Sequence, residues 1–334
     1  MIGIKDALNA FGSRLQAVGL LPTFLAVSTV VFMFLADAPR HDLSWQVIVT
    51  VAESLGGPGL VVLTGAAVAV AISLAPLQFR LVQLLEGYWP GGQMTWFFRA
   101  GLAIQRWRLQ RLEERQVIAV EPRSDAKQRA LLERAGDAEQ RIRERFPEPD
   151  RLLPTGLGNV LRSAEDRAGI RYGVETVTIW PRLFAVLPKD VQESIEDEVV
   201  QLDVSSRLAV TWSLTAVTGS ALLALHPVAA WTHPGWLLLV ASLWGLAWLS
   251  YRAAIESALA HGLDVEVAID LHRDLVVQAM RLAPTERLSQ ERRVFRTLNR
   301  LFLAYESGHG IELHFEGRSS TSSASTVRPG DSAI

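Results

Sequence analysis

Long uncharged runs dominate the chain. Residues 15–36 carry no Asp, Glu, Lys or Arg, and neither do residues 54–79. A third run extends unbroken from Arg207 to Arg252. A helix crosses the ~30 Å hydrocarbon core of a bilayer with about 20 apolar residues. The first two runs therefore predict one span each, Leu15–Ala36 and Ser54–Phe79. The third is too long for one span, and Pro227, Pro234 and Gly235 interrupt it. It predicts a tight hairpin of spans over Leu208–Leu225 and Trp236–Tyr251. A cleaved leader is the rival reading of the first run, because Ala36-Asp37-Ala38 has small residues at cleavage-site spacing. Pro39 following the cut, and a long amphipathic arm in the leader, weigh against it.

Outside the spans the pattern turns amphipathic. Ile4, Leu8, Phe11 and Leu15 fall on one side of a helix over residues 1–17, an interfacial arm. The second span sets Gly65/Ala69, Ala67/Ala71 and Ala71/Ala75 at small-xxx-small spacing, which lets another helix approach closely. That face packs either on the other spans or on a second copy. Trp89, Trp96, Phe97 and Phe98 suit the membrane–water boundary. After the turn Pro90-Gly91-Gly92, one helix runs to about Val117 and a second over about Asp125–Arg145, a helical hairpin ended by Pro147 and Pro149.

The stretch Leu153–Pro188 has the most distinctive wording. Thr155 is placed to cap a helix. Leu157, Val160, Leu161, Ala164 and Ala168 form its apolar stripe, and Gly169 and Gly173 punctuate its exit. Val174–Trp180 reads as helix or strand, with a break expected at Pro181. Asp190 and Glu193 have capping-box spacing and open a long helix into the third span. The fourth span is expected to continue inward to Leu282. Thr285 would cap a last helix over about Glu286–Glu306, and residues 317–334 are Ser/Thr/Gly-rich and expected to be disordered. The organisation is thus an arm (1–17), a first transmembrane hairpin (18–79), a helical insert (80–206), a second hairpin (207–252), C-terminal helices (253–316) and a tail (317–334). The fold class is all-α, a four-span helical membrane protein with a cytoplasmic helical module.

Charge orients this plan. The loop 37–56 holds only Arg40, and the loop 226–235 holds no Lys or Arg. Every other basic residue lies in the arm, the insert or the C-terminal region, which the positive-inside rule puts in the cytoplasm. Both termini are then cytoplasmic. A net charge of -2 gives no reason to expect nucleic acid. Expected partners are the lipid bilayer, with a second copy of the chain or a cytoplasmic protein as further candidates.

Arg108, Arg111 and Arg115 share one helical face, and so do Glu193, Glu196 and Asp197. Matched faces favour helix–helix pairing. The alternative is anionic headgroups, worth about 1 kcal/mol per basic residue near a charged surface.

Candidate chemistry is thin. No ionisable acid or base lies inside a proposed span, whereas a charge at mid-membrane, costing roughly 2.5–3.5 kcal/mol on insertion scales, is usually kept for use. With no cysteine there is no thiolate site. No H-E-x-x-H, P-loop or G-x-S-x-G occurs. Gly156-Leu157-Gly158 lacks the third glycine and the preceding strand of a dinucleotide fingerprint. His226 and His233 flank one turn and could share a metal, but no Cys or acid is expected near them to complete a shell. His261 and His272 lie roughly 16 Å apart on one helix. No cofactor or metal and no catalytic residue is expected, and enzymatic activity is left uncertain.

Three pieces together resemble a family of uncharacterised bacterial multi-pass membrane proteins. They are Glu86-Gly87-Tyr88-Trp89-Pro90, the Leu153–Pro188 stretch with its LPTGLGNVLRSAED and YG…WPRL wording, and Asp270-Leu271-His272-Arg273. The resemblance covers about a third of the chain and departs at Gly156, where that wording has a basic residue. It implies a multi-pass architecture in a bacterial inner membrane and brings no reaction. The polar residues it singles out are Glu86, Tyr88, Asn159, Arg162, Glu165, Asp166, Arg182, Asp270, His272 and Arg273. They either form a site or tie the helices together. The chain as a whole reads as a non-enzymatic scaffold or regulator, with an oligomeric channel or transporter-like assembly as the alternative and a membrane-bound enzyme third.

Overall fold

The computed structural model describes residues 22–74, 78–89, 95–117 and 125–303, with 313 and 315. The arm, residues 15–21 of the first expected span, the Pro90–Gly92 turn and the tail lie outside the described residues. Those described form helices and no strand: α1 (Pro22–Leu35), α2 (Trp45–Leu74), α3 (Gln78–Glu86), α4 (Trp96–Val117), α5 (Asp125–Arg145), α6 (Gly156–Arg167), α7 (Thr176–Val186), α8 (Lys189–Leu225), α9 (Pro227–Thr232), α10 (Pro234–His272), α11 (Asp274–Ala279) and α12 (Leu288–Leu303).

Three of these, α2, α8 and α10, are long and apolar enough to cross a membrane, and α1 is a shorter apolar helix. Most side chains in their apolar windows are not buried against the rest of the chain. Helix α8 has 37 residues and α10 has 39. At ~1.5 Å per residue each is roughly 55–60 Å long, about twice the hydrocarbon thickness. Half of each helix is therefore available to carry something beyond the bilayer.

The chain divides into two compact units, Met1–Ala168 with Lys189–Val267, and Gly169–Pro188 with Ala268–Ile334. Residues 169–188 thus leave the insert and join the C-terminal helices. In the first unit, the α1–α2 and α8–α10 connections meet at one end. Met33, Val51, Leu223, Ala230, Trp236 and Val240 are buried together there. Trp236 is fully buried, and its Nε1 donates to the His41 carbonyl at 2.7 Å. At the other end Leu157 and Val160 of α6 pack on Ala254, Ile255 and Ala258 of α10, flanked by Leu85 and Leu202.

Several boundaries differ from the sequence reading. Helix α2 begins at Trp45, well before Ser54, because an isolated Glu53 on an exposed face stops a charge-free run but not a helix. It kinks at Gly56 (φ 54°, ψ −169°), just before Pro58. Asp190 lies inside the first turn of α8 instead of capping it. Helix α10 ends at His272 and does not run on to Leu282, and α12 starts at Leu288, past Thr285. Val174–Trp180 resolves in favour of helix, and α7 continues through Pro181. The carbonyl that loses its helical donor there belongs to Val177. Both Val177 and Pro181 have exposed side chains, so the missing bond falls on the outer face of the helix. Helix α4 packs along α5. Among the described residues no ion pair joins Arg108, Arg111 or Arg115 to Glu193 or Glu196, against the pairing expected from their matched faces.

Candidate functional site

The turn Leu153–Thr155 is the point where the first unit is assembled. Pro154 is buried, and two glycines close on it. Gly87 (φ 97°) and Gly101 would each put a Cβ 2.8 Å from Pro154 side-chain carbons. Gly158 sits in the first turn of α6 directly against the Glu86 carbonyl, so close that a Cβ there would overlap it. Asn159 is fully buried and staples the turn. Its Oδ1 accepts from Leu153 N–H at 2.7 Å, and its Nδ2 donates to Leu153 O at 2.9 Å. Thr155 caps α6 by accepting from Gly158 N–H at 3.2 Å, as its position predicts. Leu157 N–H then donates to the Tyr251 hydroxyl at 3.2 Å.

Polar residues line the flank of this collar. Arg162 donates to the Tyr88 hydroxyl and to the Arg151 carbonyl, each at 3.1 Å. Arg151 pairs with Asp166. Further inward, Arg167 pairs with Glu266 at 3.1 Å, and Ser163 donates to the Arg143 carbonyl at 2.8 Å. Burial raises the pKa of Glu86, and the nearby Glu165 charge adds to the rise. Glu165 is raised by burial too, with Asp166 adding and Arg162 and Arg151 opposing. Asp166 is raised by burial against the pull of Arg151 and Arg162. Buried Asp166 Oδ2 and Arg162 Nε have no hydrogen-bond partner among the described residues.

The second unit gathers the other motif. Arg273 lies 3.7 Å over the Tyr172 ring, donates to the Asp270 carbonyl and pairs with Glu291 at 2.7 Å. Arg171 approaches Asp270 at 3.9 Å. Burial, followed by a hydrogen bond to Asp270, raises the pKa of Tyr172. Arg182 covers the Phe302 ring at 3.7 Å. Asn299 donates to the Gly173 carbonyl, where Gly173 has φ 71°.

The ten residues singled out from the sequence thus fall into two groups. Glu86, Tyr88, Asn159, Arg162, Glu165 and Asp166 gather in the first unit. Asp270 and Arg273 gather around Tyr172 in the second, with Arg182 on Phe302. His272 ends α10 and joins neither group through a hydrogen bond or ion pair with a described residue. The sequence reading missed Arg151, Tyr172, Tyr251, Glu291 and Asn299. Two of them carried a signal: Tyr172 in the Tyr172-Gly173 wording before WPRL, and Tyr251 as the last residue before Arg252 ends the uncharged run. Elsewhere, His233 Nδ1 lies 2.6 Å from Asp42, and Arg40 approaches His226 at 3.5 Å. Among the described residues no three metal-ligating side chains converge.

A scan of the chain against protein-family models finds no match, nor do searches of curated proteins and of solved structures.

Proposed function

We propose that the chain is a four-span protein of a bacterial cytoplasmic membrane, both termini inside, acting as a non-enzymatic scaffold or regulator through its inner helical module. One observation carries the reading: the distinctive residues are spent on fastening. Asn159, Gly158, Gly87 and Gly101 lock α3, α4 and α6 to one another, and Leu157 ties them to α10 at Tyr251. The spans α8 and α10 continue without a break into that collar. A displacement in the bilayer is then carried directly to the inner face. The one-sided arginine distribution and the meeting of both short connections at one end support the topology.

A photocrosslinker placed in living cells at exposed Leu132 tests this reading. A discrete adduct with a different cytoplasmic protein is expected, from a chain that runs as a single protomer in nanodiscs. A ring of protomers with ion flux in liposomes would sink it in favour of the channel reading. That alternative draws on α2, where Gly65 and Ala69 are exposed and nothing lies within 4 Å of a Cβ at Gly65.

A further inference from the structure

Helix α4 has two apolar faces. One holds Phe98, Gln105 and Leu109 and is buried. Roughly opposite, Trp96, Phe97, Ile104 and Trp107 are 69%, 56%, 51% and 53% exposed. Trp96 and Phe97 stack at 3.6 Å, and Arg111 lies 4.6 Å over Trp107. Exposed Arg108, Arg111 and Arg115 extend this second face, and no described carboxylate lies within ion-pair distance of them. Glu113 and Glu114 are the acids nearby, in the last turns.

Named contacts fix the level of α4 along the α10 stalk. The uncharged run of α10 ends at Tyr251, which the proposed topology sets at the edge of the hydrocarbon. Tyr251 bonds Leu157, and Gly101 of α4 touches Pro154 three residues before it. The start of α4 is therefore at the boundary. The end of α5 is anchored farther along α10, where Arg145 meets Glu256 at 3.1 Å. Five residues of α10 separate these anchors, about 7.5 Å at 1.5 Å per residue. That is close to the usual ~8–10 Å between packed helix axes. The start of α4 is thus held nearer the hydrocarbon edge than the end of α5, within reach of the bilayer for its exposed aromatic and basic side chains.

We infer that α4 lies along the inner membrane surface, with Phe97, Ile104 and Trp107 in the headgroup layer and Arg108, Arg111 and Arg115 on anionic phosphates. Aromatic side chains favour that layer and a basic face favours acidic lipid. The inference rests on the proposed membrane topology and goes beyond it, because it gives the protein a preference for lipid charge.

The chain has no cysteine, so single labelling sites are clean. Full-length protein with an environment-sensitive dye at Ile104→Cys is placed in nanodiscs of phosphatidylcholine, with or without phosphatidylglycerol. Leu246→Cys serves as span reference and Leu132→Cys as aqueous reference. The Ile104 dye should be quenched by headgroup-level nitroxide lipid and shielded from iodide, several-fold more strongly with phosphatidylglycerol. Reversing Arg108, Arg111 and Arg115 to Glu should drop it to the Leu132 level while Leu246 stays lipid-quenched. An Ile104 dye open to iodide in phosphatidylglycerol discs overturns the inference and leaves the topology standing. So does shielding that appears only with two chains per disc, which assigns the face to a second copy. A Leu246 dye untouched by lipid nitroxides removes the membrane reading itself.

Discussion

The collar of the first unit and the clasp of the second are built from equally distinctive wording by opposite means. In the collar, glycine backbone meets a carbonyl and a rigid proline ring. Gly158 touches the Glu86 carbonyl, Gly87 and Gly101 close on Pro154, and buried Asn159 satisfies the Leu153 peptide. In the clasp, long side chains meet rings at its margin: Arg273 on Tyr172 and Arg182 on Phe302. A backbone contact has no flexible end to move aside, whereas a guanidinium on a ring shifts at small cost. The collar should therefore fail abruptly and the clasp gradually.

The hardest break is Gly158→Val, which forces side-chain atoms into the Glu86 carbonyl. Overpacking typically costs about 1–3 kcal/mol and more where neither side can yield, so the detergent-solubilised protein should lose its cooperative thermal transition. A wild-type melting curve would show that the contact is looser than described. Next is Asn159→Ala, which strands the Leu153 N–H and C=O at about 1–3 kcal/mol per buried group left unpaired. Asn159→Asp should rescue only the bond from Leu153 N–H, and the ranking of the three melting temperatures reads this out.

In the clasp, Arg273→Lys keeps the charge but loses the planar stack and the Nε bond to Glu291. The loss should be about 0.5–2 kcal/mol, seen as faster amide exchange in α12 with exchange in α6 unchanged. Equal acceleration in both helices would erase the contrast between the two regions.

A smaller effect concerns pH. Glu86 has a folded pKa above its unfolded value, so between the two values the folded chain binds more protons. The collar should gain stability as pH falls from neutral through the folded pKa, until the unfolded carboxylate also protonates. Glu86→Gln should flatten that rise, and an unchanged slope would show that Glu86 does not titrate in the collar.

The all-helical architecture and three helices long and apolar enough to cross a membrane were legible in the uncharged runs, because apolar length is a local property of the sequence. The hairpin ends at Leu225 and near Trp236 fall where Pro227 and Pro234 put them. Thr155, the α6 stripe, and Gly169 and Gly173 could also be read, since capping, periodicity and left-handed backbone are local. Gly87, Gly101 and Gly158 could not be assigned to one turn, because contacts between distant glycines leave no periodic trace. The face matching of Arg108 and Glu193 was legible but misleading. Charge complementarity names a possible partner, and it does not show that the backbone brings the partners together. The division of the ten polar residues was equally hidden, because residues 169–188 leave the insert for the C-terminal helices.

Membrane-impermeant maleimide labelling of intact cells decides which end of the first unit faces outward. Val228→Cys lies on exposed α9 at the connection end, and Leu132→Cys lies on exposed α5 of the collar unit. The account predicts that Val228→Cys reacts in intact cells and Leu132→Cys only after permeabilisation. Reaction of Leu132→Cys in intact cells, or of neither until the membrane is opened, would contradict it.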